Sequence, residues 1–490
     1  MGNNGHKLKK RGVKLSIYFL SLLIVAIAAI GGTYAWIGRS VTLPSTVEII
    51  QGTNSSTLDI AASERIGAVY QTLLNNYVEG VDKEALIEGA LSGMVEAVGD
   101  PYSQYLNTEE SENLDETISA SFEGIGAEIM SLNQQIVIVS PIKGSPAEKA
   151  GLLPNDIILS ADGESLQGLT ASEAVALIRG EKGSEVVLEI VRGDQTFKVN
   201  ITRDTIPIET VTFELDEEYP EIGIVHVSSF STPTYDDIVS AVTDLRTQGA
   251  TSFVFDFRQN PGGLLDQALK ISNMFLDDGD VIMQTQEKDA DPNKIVASDS
   301  EFGDFKITEP TVLLVDEGSA SASEIVAGAL QESSEIPLVG TTTFGKGTVQ
   351  TVYPLTESSE LKLTVAKWLT PNGNWIHQKG IAVDYEVALP EYATLTIIDS
   401  TATYEEGTVS EEVKNVEAML NAIGYAVEAD GYYDEATVEQ VASFQAANEL
   451  DATGIVTGDT ALAIVEKLRE VLTENDTQYD KAVEILMGNE

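Results

Sequence analysis

The sequence contains no cysteine among its 490 residues. Disulfide bonds, thiol nucleophiles and zinc–thiolate sites are therefore excluded. Histidine is almost as rare, since only three histidines occur, at positions 6, 226 and 377. A hydrolase built from this chain has few imidazole groups available as a general base.

Basic residues are also scarce, because 29 lysines and arginines face 78 aspartates and glutamates, for a formal net charge of −49. A nucleic-acid-binding protein needs a basic face to neutralise phosphates, and beyond the N-terminus this sequence offers none. We therefore expect no nucleic-acid partner, and we interpret the acidity as a solvated, self-repelling surface. The content of 43% hydrophobic and 22% charged residues is typical of a folded protein, and the length predicts several domains.

The N-terminal segment predicts a membrane anchor. Five basic residues lie within residues 7–14, and residues 15–37 form an uncharged run long enough to span a bilayer. Basic flanks stay in the cytoplasm, so we expect a cytoplasmic tail at 1–14, a single span at 15–37 and an extracytoplasmic remainder. A cleaved signal peptide is the alternative, but the apolar run is long for one and no A-x-A site closes it. An exported protein without disulfides fits a bacterial cell surface.

The exported part divides into segments of different periodicity. Residues 38–57 are rich in Ser, Thr and Gly and predict a linker. In 58–117, apolar residues at helical spacing predict a helical hairpin that Asp100-Pro101 ends, with a role in packing rather than chemistry. Residues 118–203 show short strand patterns, and 204–400 alternate buried strands with helices, which predicts an α/β core with a largely parallel sheet.

Residues 404–472 show three amphipathic helices separated by turns at Asp430–Asp434 and Thr453–Gly458. This order resembles the three-helix peptidoglycan-binding domain of bacterial wall enzymes, and the resemblance implies peptidoglycan as a partner. Residues 473–490 carry no motif and are predicted to form a C-terminal tail. The predicted fold is therefore multidomain: a transmembrane helix, a helical hairpin, a β-rich domain, an α/β core and a small all-α domain.

A serine-rich turn after a buried strand is the first candidate for chemistry. The apolar strand at 311–315 is followed by Asp-Glu-Gly-Ser-Ala-Ser-Ala-Ser-Glu at 316–324, where a helix is predicted to start. A nucleophile there would lie at the end of the sheet, beside the free N–H groups of a helix N-terminus. Ser319, Ser321 and Ser323 are all candidates, and helix capping is the structural role open to any one of them.

Lysine is a better candidate than histidine for the base that a serine nucleophile needs. Lys346 lies between Gly345 and Gly347, which let its backbone approach other elements closely. It must be desolvated or lie near positive charge to lose its proton near neutral pH, and the apolar strand at 336–339 is a candidate for that desolvation. A Ser-His-Asp triad through His377, which lies in a Gly/Asn-rich turn, is the alternative.

Residues 340–346 also match G-x-x-x-x-G-K, the start of a phosphate-binding loop. The next residue is Gly347 instead of the Ser or Thr that holds magnesium. A phosphate-binding loop must also run into a helix, whereas residues 348–353 are β-branched and strand-like. We therefore reject this interpretation and expect neither a metal nor any other cofactor.

A block of small and apolar residues lies ahead of these segments. It reads Ser-Pro-Ala-Glu-Lys-Ala-Gly-Leu at 145–152, followed by Asp-Ile-Ile-Leu at 156–159 and Asp-Gly at 162–163. The block resembles a bacterial PDZ domain, which implies that residues 118–203 form such a domain. Successive N–H groups of its glycine-flanked loop would bind a peptide C-terminal carboxylate, with a plain β-turn as the alternative. The loop residues are Gly124, Ile125, Gly126 and Ala127.

Five further motifs complete the pattern: Ser228-Ser229-Phe230, DFRQNPGG at 256–263, SASASE at 319–324, TFGKGTVQ at 343–350 and TPNG at 370–373. Together they resemble the tail-specific, carboxy-terminal processing proteases, Ser–Lys peptidases of the S41 type with an embedded PDZ domain. The resemblance implies Ser321 as nucleophile, Lys346 as base and Gln350 as the residue that orients the lysine. It also implies an oxyanion hole that combines the N–H of Ala322 with that of Gly262 or Gly263. Some members have a supporting Asp where this chain has Glu332, whose role stays open.

We therefore predict a membrane-anchored, extracytoplasmic serine endopeptidase of a bacterial cell. Its PDZ domain would capture the C-termini of exported proteins, its Ser–Lys dyad would cleave them, and its C-terminal domain would bind the wall. A homodimer is compatible with the sequence. The alternatives are a catalytically inert, wall-bound PDZ adaptor and a serine hydrolase with a His-based triad.

Overall fold

The computed structural model describes residues 60–356 and 358–488. The predicted cytoplasmic tail, membrane span and linker, at 1–14, 15–37 and 38–57, lie outside the described residues. Within the described ranges, no helix combines the length and apolar character needed to cross a membrane. Two helices, α1 (Ile60–Asn76) and α2 (Lys83–Glu96), form where the three- and four-residue spacing predicted them.

A short strand and a helix follow the break at Asp100-Pro101, namely β1 (Gln104–Leu106) and α3 (Thr108–Ser119). A capping box starts α3: the Asn107 side chain accepts from the Glu110 N–H, and the Glu110 carboxylate accepts from the Asn107 N–H, both at 3.0 Å. These bonds satisfy N–H groups that the first turn of a helix leaves without partners. The start of α3 is therefore fixed locally.

The PDZ-like segment forms an antiparallel sheet with two short helices. Its elements are β2 (Ser121–Gly124), β3 (Ala127–Leu132), β4 (Gln135–Pro141), α4 (Pro146–Lys149), β5 (Ile157–Ala161), β6 (Glu164–Ser165), α5 (Ala171–Ile178), β7 (Glu185–Arg192), β8 (Gln195–Thr202) and β9 (Asp204–Pro207). The strand order is β3-β4-β5-β7-β8, with β6 beside β5, and β2 pairs with β9. Val186, Leu188 and Ile190 alternate along β7 and are fully buried, as a strand with one face on a core requires.

The predicted α/β core is confirmed. Its elements are β10 (Val211–Leu215), β11 (Ile222–Val227), α6 (Thr234–Gln248), β12 (Ser252–Asp256), α7 (Leu265–Asn273), β13 (Val281–Glu287), β14 (Asn293–Val296), α8 (Asp299–Phe302), β15 (Thr311–Val315), α9 (Ala322–Ser333), β16 (Leu338–Gly340), β17 (Thr348–Pro354), β18 (Glu360–Leu369) and β19 (Tyr385–Glu386). Six of these strands form a sheet in the order β10-β11-β12-β15-β16-β19, in which only the β10–β11 pair is antiparallel. An antiparallel sheet joins β1 to β18, β13 and β14, with β17 also paired to β18.

Both faces of the six-stranded sheet are covered. Phe253 and Phe255 of β12 belong to the core that α6, α7 and α9 cover. Val254, between them, belongs to a second apolar cluster on the opposite face. Strands buried on both faces read as continuous apolar runs, which is why β11, β12 and β15 were detectable in the sequence.

The C-terminal part is all-helical apart from short turns, as predicted. After a 3₁₀ turn at Glu391–Thr394 it contains α10 (Glu411–Ala422), α11 (Glu435–Ala447), α12 (Gly458–Glu474) and α13 (Thr477–Leu486). Helices α10, α11 and α12 share an apolar core in which Val416, Phe444 and Ile464 are buried.

Helix α13 corrects the predicted C-terminal tail at 473–490. Its Ala482 is fully buried in the cluster on the second face of the six-stranded sheet, together with Val254 and Leu314. At its N-terminus the carboxylate of Asp476 lies 2.7 Å from the guanidinium of Arg258. The segment carries no motif because its role is to cover apolar strands, which needs only a few apolar side chains at helical spacing.

Candidate active site

One cavity of about 470 Å³ brings together the residues that the sequence predicted to carry chemistry. Its wall includes the start of α9, the loop after β12 and the segment that leads into β17. The predicted residues in this wall are Ser321, Ala322, Gly262, Gly263, Lys346 and Gln350. Three separate segments of the chain therefore meet in one place.

The geometry distinguishes the three candidate serines. Ser319 is fully buried, and its hydroxyl donates to the carbonyl of Phe257 at 2.8 Å. Ser323 is also fully buried, and its hydroxyl donates to the carbonyl of Asn260 at 2.9 Å. Of the three, Ser321 is the one that lines the cavity. The flanking serines thus hold the loop after β12 against α9, and Ser321 is placed to meet a substrate.

The backbone of Ser321 is strained, with φ of 56° and ψ of −109° at the N-terminus of α9. A non-glycine residue in such a conformation costs on the order of 1–3 kcal/mol. The turn also lies against Gly262, where an added Cβ would be 2.9 Å from the Cβ of Ser321 and 2.8 Å from the nitrogen of Ala322. Only glycine permits this approach, so the turn at Ser321 and the loop after β12 are in direct contact.

Glu324 joins the turn that carries Ser321 to the turn that carries Lys346. It is fully buried in the first turn of α9. Its Oε2 accepts from the N–H of Ser321 and from the N–H of Lys346, both at 2.8 Å. Its Oε1 accepts from the N–H of Gly345 at 2.7 Å and from the hydroxyl of Thr343 at 2.6 Å. This role of Glu324 was not predicted from the sequence, although a glutamate three residues after a serine is the spacing of a capping box.

Lys346 lies half-buried in the cavity wall. Its Nζ is 5.1 Å from the centre of the Tyr102 ring, and it forms no hydrogen bond or ion pair among the described residues. Burial lowers the pKa of Lys346 below its ordinary value of 10.5, and the charge of Lys362 lowers it further. The charges of Glu324 and Asp100 act in the opposite direction without cancelling this effect.

Gln350 lies in the cavity, but it does not form the hydrogen bond to Lys346 that the family resemblance implied. Its amide nitrogen donates to the hydroxyls of Thr348 and Thr364, at 2.9 and 3.3 Å. Across the described residues no hydrogen bond joins Gln350 to Lys346. The side chain that lies against the ammonium group is that of Tyr102.

The backbone donors of the predicted oxyanion hole are not equivalent. The N–H of Gly262 donates to the side-chain oxygen of Asn260 at 2.9 Å, so it is already engaged. The N–H groups of Gly263 and Ala322 have no acceptor among the residues described. Gly263 must also be glycine, because an added Cβ would lie 2.2 Å from the carbonyl oxygen of Phe230. The structure therefore favours Gly263 over Gly262 as the partner of Ala322.

Two other candidates are placed elsewhere. His377 stacks on Trp375, with ring centres 5.2 Å apart, and it is not part of the wall of the Ser321 cavity in the described structure. Glu332 holds the turn at 370–374, since its carboxylate accepts from the Thr370 hydroxyl at 2.9 Å and from the Asn372 N–H at 2.7 Å. The segment after Lys346 continues into β17, which confirms that 340–346 is not a phosphate-binding loop.

The N-terminal region contributes to the cavity, although its sequence predicted packing alone. Strand β1 pairs with β18, and the hydroxyl of Ser103 accepts from the N–H of Thr364 at 3.0 Å, which brings Tyr102 close to Lys346. Helix α3 forms another part of the wall, through Leu114, Thr117 and Ile118. These contacts join segments more than 200 residues apart, so no local sequence signal marks them.

The predicted carboxylate-binding loop is held open by its backbone contacts. The carbonyl of Ile125 accepts from the N–H of Ala147 at 2.8 Å, and that of Gly126 accepts from the N–H of Ile142 at 2.9 Å. The N–H groups of Ile125 and Gly126 donate no hydrogen bond within the described chain, so two adjacent donors remain for a ligand. Gly126 has φ of 73°, and an added Cβ would lie 2.5 Å from that of Ser145.

Arg179 stands between this loop and α3. Its guanidinium lies 4.5 Å from the ring centre of Phe122, at the start of the loop. It also donates to both carboxylate oxygens of Glu116 on α3, at 2.8 and 3.0 Å. Arg179 therefore contacts both β2, which leads into the predicted carboxylate-binding loop, and α3, which lines the Ser321 cavity.

Comparison with known proteins matches four parts of the chain. The family model described as Peptidase family S41 matches residues 221–387, and the PDZ domain model matches 137–192. A peptidoglycan-binding domain model matches 409–464. The model described as "Activating protease CtpB N-terminal domain" matches 25–110.

Three individual proteins are similar over much of the chain. "Carboxy-terminal processing protease CtpA" of Bacillus subtilis (strain 168) is 43% identical over 478 residues, which cover 97% of this chain and 99% of that one. "Probable CtpA-like serine protease" of Staphylococcus aureus (strain MSSA476) is 36% identical over 97% of this chain and 93% of that one. Among solved structures, the photosystem II D1 C-terminal processing protease is 29% identical, with a TM-score of 0.39 over 66% of this chain and 88% of that one.

The family match includes the cavity residues from Phe230 to Trp368, and the similarity to the Bacillus protein extends over nearly the whole of both chains. The PDZ and peptidoglycan-binding matches fall on the antiparallel sheet and the C-terminal helices described above. The chain therefore belongs to peptidase family S41, as a carboxy-terminal processing serine protease with a PDZ domain and a peptidoglycan-binding domain.

Proposed function

We propose that the protease cleaves peptide bonds with a Ser–Lys dyad, in which Ser321 is the nucleophile and Lys346 the general base. The observation that carries the proposal is that the only cavity-facing serine of the described SASASE turn shares its cavity with a lysine whose pKa is lowered by burial. A lysine accepts a proton only in its neutral form, so burial supplies what the chemistry needs. The position of His377, stacked on Trp375, gives a His-based triad less support.

The dyad gives a complete acylation and deacylation cycle. The neutral amine of Lys346 takes the hydroxyl proton as Ser321 Oγ attacks the scissile carbonyl carbon. The N–H groups of Ala322 and Gly263 stabilise the oxyanion of the tetrahedral intermediate. The Lys346 ammonium then returns the proton to the leaving amine, and the C–N bond breaks to leave an ester on Ser321. Water, deprotonated by the same lysine, hydrolyses the ester and restores the hydroxyl.

Removing either member of the dyad tests this mechanism. Ser321→Ala and Lys346→Met should each lower kcat for a peptide substrate by at least roughly 10³-fold, since the two groups act as a unit. His377→Ala should retain activity within about tenfold, because a residue outside the dyad contributes only through packing. Activity of the wild-type enzyme should fall as the pH drops through the lowered pKa of Lys346, because protonation removes the base. Full activity of Lys346→Met, with loss in Ser321→Ala and His377→Ala, would favour the triad instead, and full activity of Ser321→Ala would exclude Ser321 as nucleophile in either mechanism.

A second prediction concerns Glu324. Glu324→Gln keeps the shape but replaces one carboxylate oxygen by an NH₂ group, so either the pair of donors from Ser321 and Lys346 or the pair from Gly345 and Thr343 loses its acceptor, and the contact between the two turns should weaken. We expect kcat to fall by roughly 10²-fold with a smaller change in KM, because the substrate wall is otherwise intact.

Glu332→Gln, on the same helix, is the matched control. It weakens the turn at 370–374 and should lower the melting temperature with little effect on kcat. Equal losses of kcat in the two variants would show that Glu324 acts only through stability.

The PDZ domain is proposed to capture the free C-terminus of an exported substrate. The two unengaged N–H groups of Ile125 and Gly126 and the nearby guanidinium of Arg179 suit a carboxylate. A carboxylate in the loop competes with Glu116 for Arg179, and Glu116 lies on a helix that also lines the catalytic cavity. Binding of a C-terminus would in this way be communicated to the site of cleavage.

C-terminal amidation of a peptide substrate tests this capture. Amidation removes the charge that the loop binds, so kcat/KM should fall roughly tenfold for the wild-type enzyme. Arg179→Gln should reduce this preference for the free acid, and Lys198→Gln, an exposed charge change in the same domain, should leave it unchanged. A wild-type enzyme that cleaves acid and amide peptides equally would contradict the proposal.

The enzyme is further proposed to be a single-pass bacterial membrane protein whose catalytic part faces the cell exterior and binds the wall. The basic residues of 7–14, the apolar run at 15–37 and the wall-binding domain match support this placement. The catalytically inert Ser321→Ala enzyme should sediment with membranes, and removal of residues 1–37 should make it soluble. It should also pellet with purified peptidoglycan, and soluble wall fragments should prevent this. Full-length enzyme in the soluble fraction would refute the anchor, and failure to pellet would refute wall binding.

A further inference from the structure

A second lysine, Lys362, lines the same cavity as Ser321 and Lys346. It lies on β18 opposite Val352 of β17, and two residues further along Thr364 lies opposite Gln350. Because alternate residues of a strand point to the same face, Lys362 shares one face of the β17–β18 pair with Val352 and Gln350. Both of these residues also line the cavity. The position of Lys362 is therefore set by strand register.

No counterion lies beside Lys362 in the part of the chain that the structure describes. Within the described residues it forms neither an ion pair nor a side-chain hydrogen bond, although the chain has 78 acidic residues to 29 basic ones. Much of the surrounding wall is apolar, through Leu114, Ile118, Leu264, Leu265, Ile325, Val349, Val352 and Trp368. An unpaired cation against an apolar wall stabilises no contact of the fold, so a role in the reaction explains its place better.

The charges around Lys346 come from every element packed against it. Helix α9 contributes Glu324, and the segment before β1 contributes Asp100 and the phenol of Tyr102. The ring of His377 meets that of Tyr102 edge-on at 6.1 Å, and β18 contributes Lys362. The two carboxylates favour the ammonium form of Lys346, which is inactive as a base. In this set Lys362 is the lysine that opposes them.

We propose that Lys362 is a positioning residue for catalysis, whose positive charge in the shared cavity keeps Lys346 in the neutral form that accepts the Ser321 proton. A second cation beside a reactive lysine is one of the established physical means of activating an amine. At an effective dielectric constant of about 20, the repulsion between the charges of Lys362 and Lys346 extends across the width of a small cavity. The inference rests on the proposed Ser–Lys dyad.

The test compares the pH dependence of kcat/KM in three variants. Lys362→Met removes the charge at similar length, and Lys362→Arg keeps it. Lys367→Met is the matched control. Lys367 lies five residues after Lys362 on the same strand. It lies outside the described cavity wall, with its Nζ 4.1 Å from the Trp375 ring centre.

In Lys362→Met the acidic limb of the kcat/KM profile should move to higher pH, because Lys346 stays protonated over a wider pH range. At the acidic end kcat/KM should be roughly three- to tenfold below that of the wild-type enzyme. At alkaline pH, where Lys346 is neutral in both proteins, kcat/KM should reach a near-normal plateau. Lys362→Arg and Lys367→Met should keep the wild-type profile. A wild-type profile in Lys362→Met, or an equal loss at every pH, would overturn the proposal.

A second readout does not depend on activity. Acetic anhydride modifies only neutral amines, so the rate at which Lys346 is acetylated, followed by mass spectrometry in the intact chain, reports its protonation directly. This rate should fall in Lys362→Met at a fixed pH below the plateau, and an unchanged rate would count against the proposal. Lys362→Gln repeats both measurements if the Met variant does not fold.

The two measurements also separate this inference from the proposed dyad. If Lys346→Met remains active, the dyad fails, while the acetylation rates still decide whether Lys362 controls the protonation of Lys346. If Lys346→Met is inactive and Lys362→Met has unchanged pH and acetylation profiles, the dyad stands and the role of Lys362 is refuted.

Discussion

The catalytic centre depends on one buried carboxylate, that of Glu324. It has four donors and no cationic partner among the described residues, and two of these donors are the backbone N–H groups of Ser321 and Lys346. A buried charge is tolerated only when such hydrogen bonds replace its hydration, and each donor is available only when its own turn is in place. The turn that carries Ser321 and the turn that carries Lys346 therefore assemble together, and the strained backbone of Ser321 is held by the same bonds.

The loop after β12 is fixed from the opposite side of the sheet. Burial alone would raise the pKa of Asp256, but the nearby His226 ring, with its Nδ1 3.7 Å from the carboxylate, and the hydrogen bonds and charge of Arg258 outweigh it and lower that pKa to about 2. Arg258 also binds Asp476, the N-cap of α13, whose hydrophobic face covers the sheet. Helix α13, which follows the peptidoglycan-binding domain, thus stabilises the segment leading to Gly263 and links the C-terminal part of the chain to the loop after β12.

Local patterns predicted what depends on local physics. The buried strands β11, β12 and β15, the start of α9 after the serine-rich turn and the lysine between two glycines all follow from residues close in sequence. The choice of Ser321 over its neighbours came from family resemblance, because burial and hydrogen bonds to Phe257 and Asn260 decide it and neither is visible locally. The same holds for the engaged N–H of Gly262 and for Tyr102, whose positions depend on contacts between distant segments.

Helix α3 shows how one short element can serve two sites. Successive residues of a helix are rotated by about 100°, so Leu114, Thr117 and Ile118 fall on one face while Glu116 falls on nearly the opposite one. The first face lines the cavity of Ser321, and the second binds Arg179 beside the PDZ loop. Because the capping box at Asn107 and the internal hydrogen bonds keep the helix rigid, a displacement of Glu116 must move the cavity-lining face as well. A ligand that displaced Glu116 would therefore act on the Ser321 cavity through the stiffness of the helix, without any residue that touches both ligands.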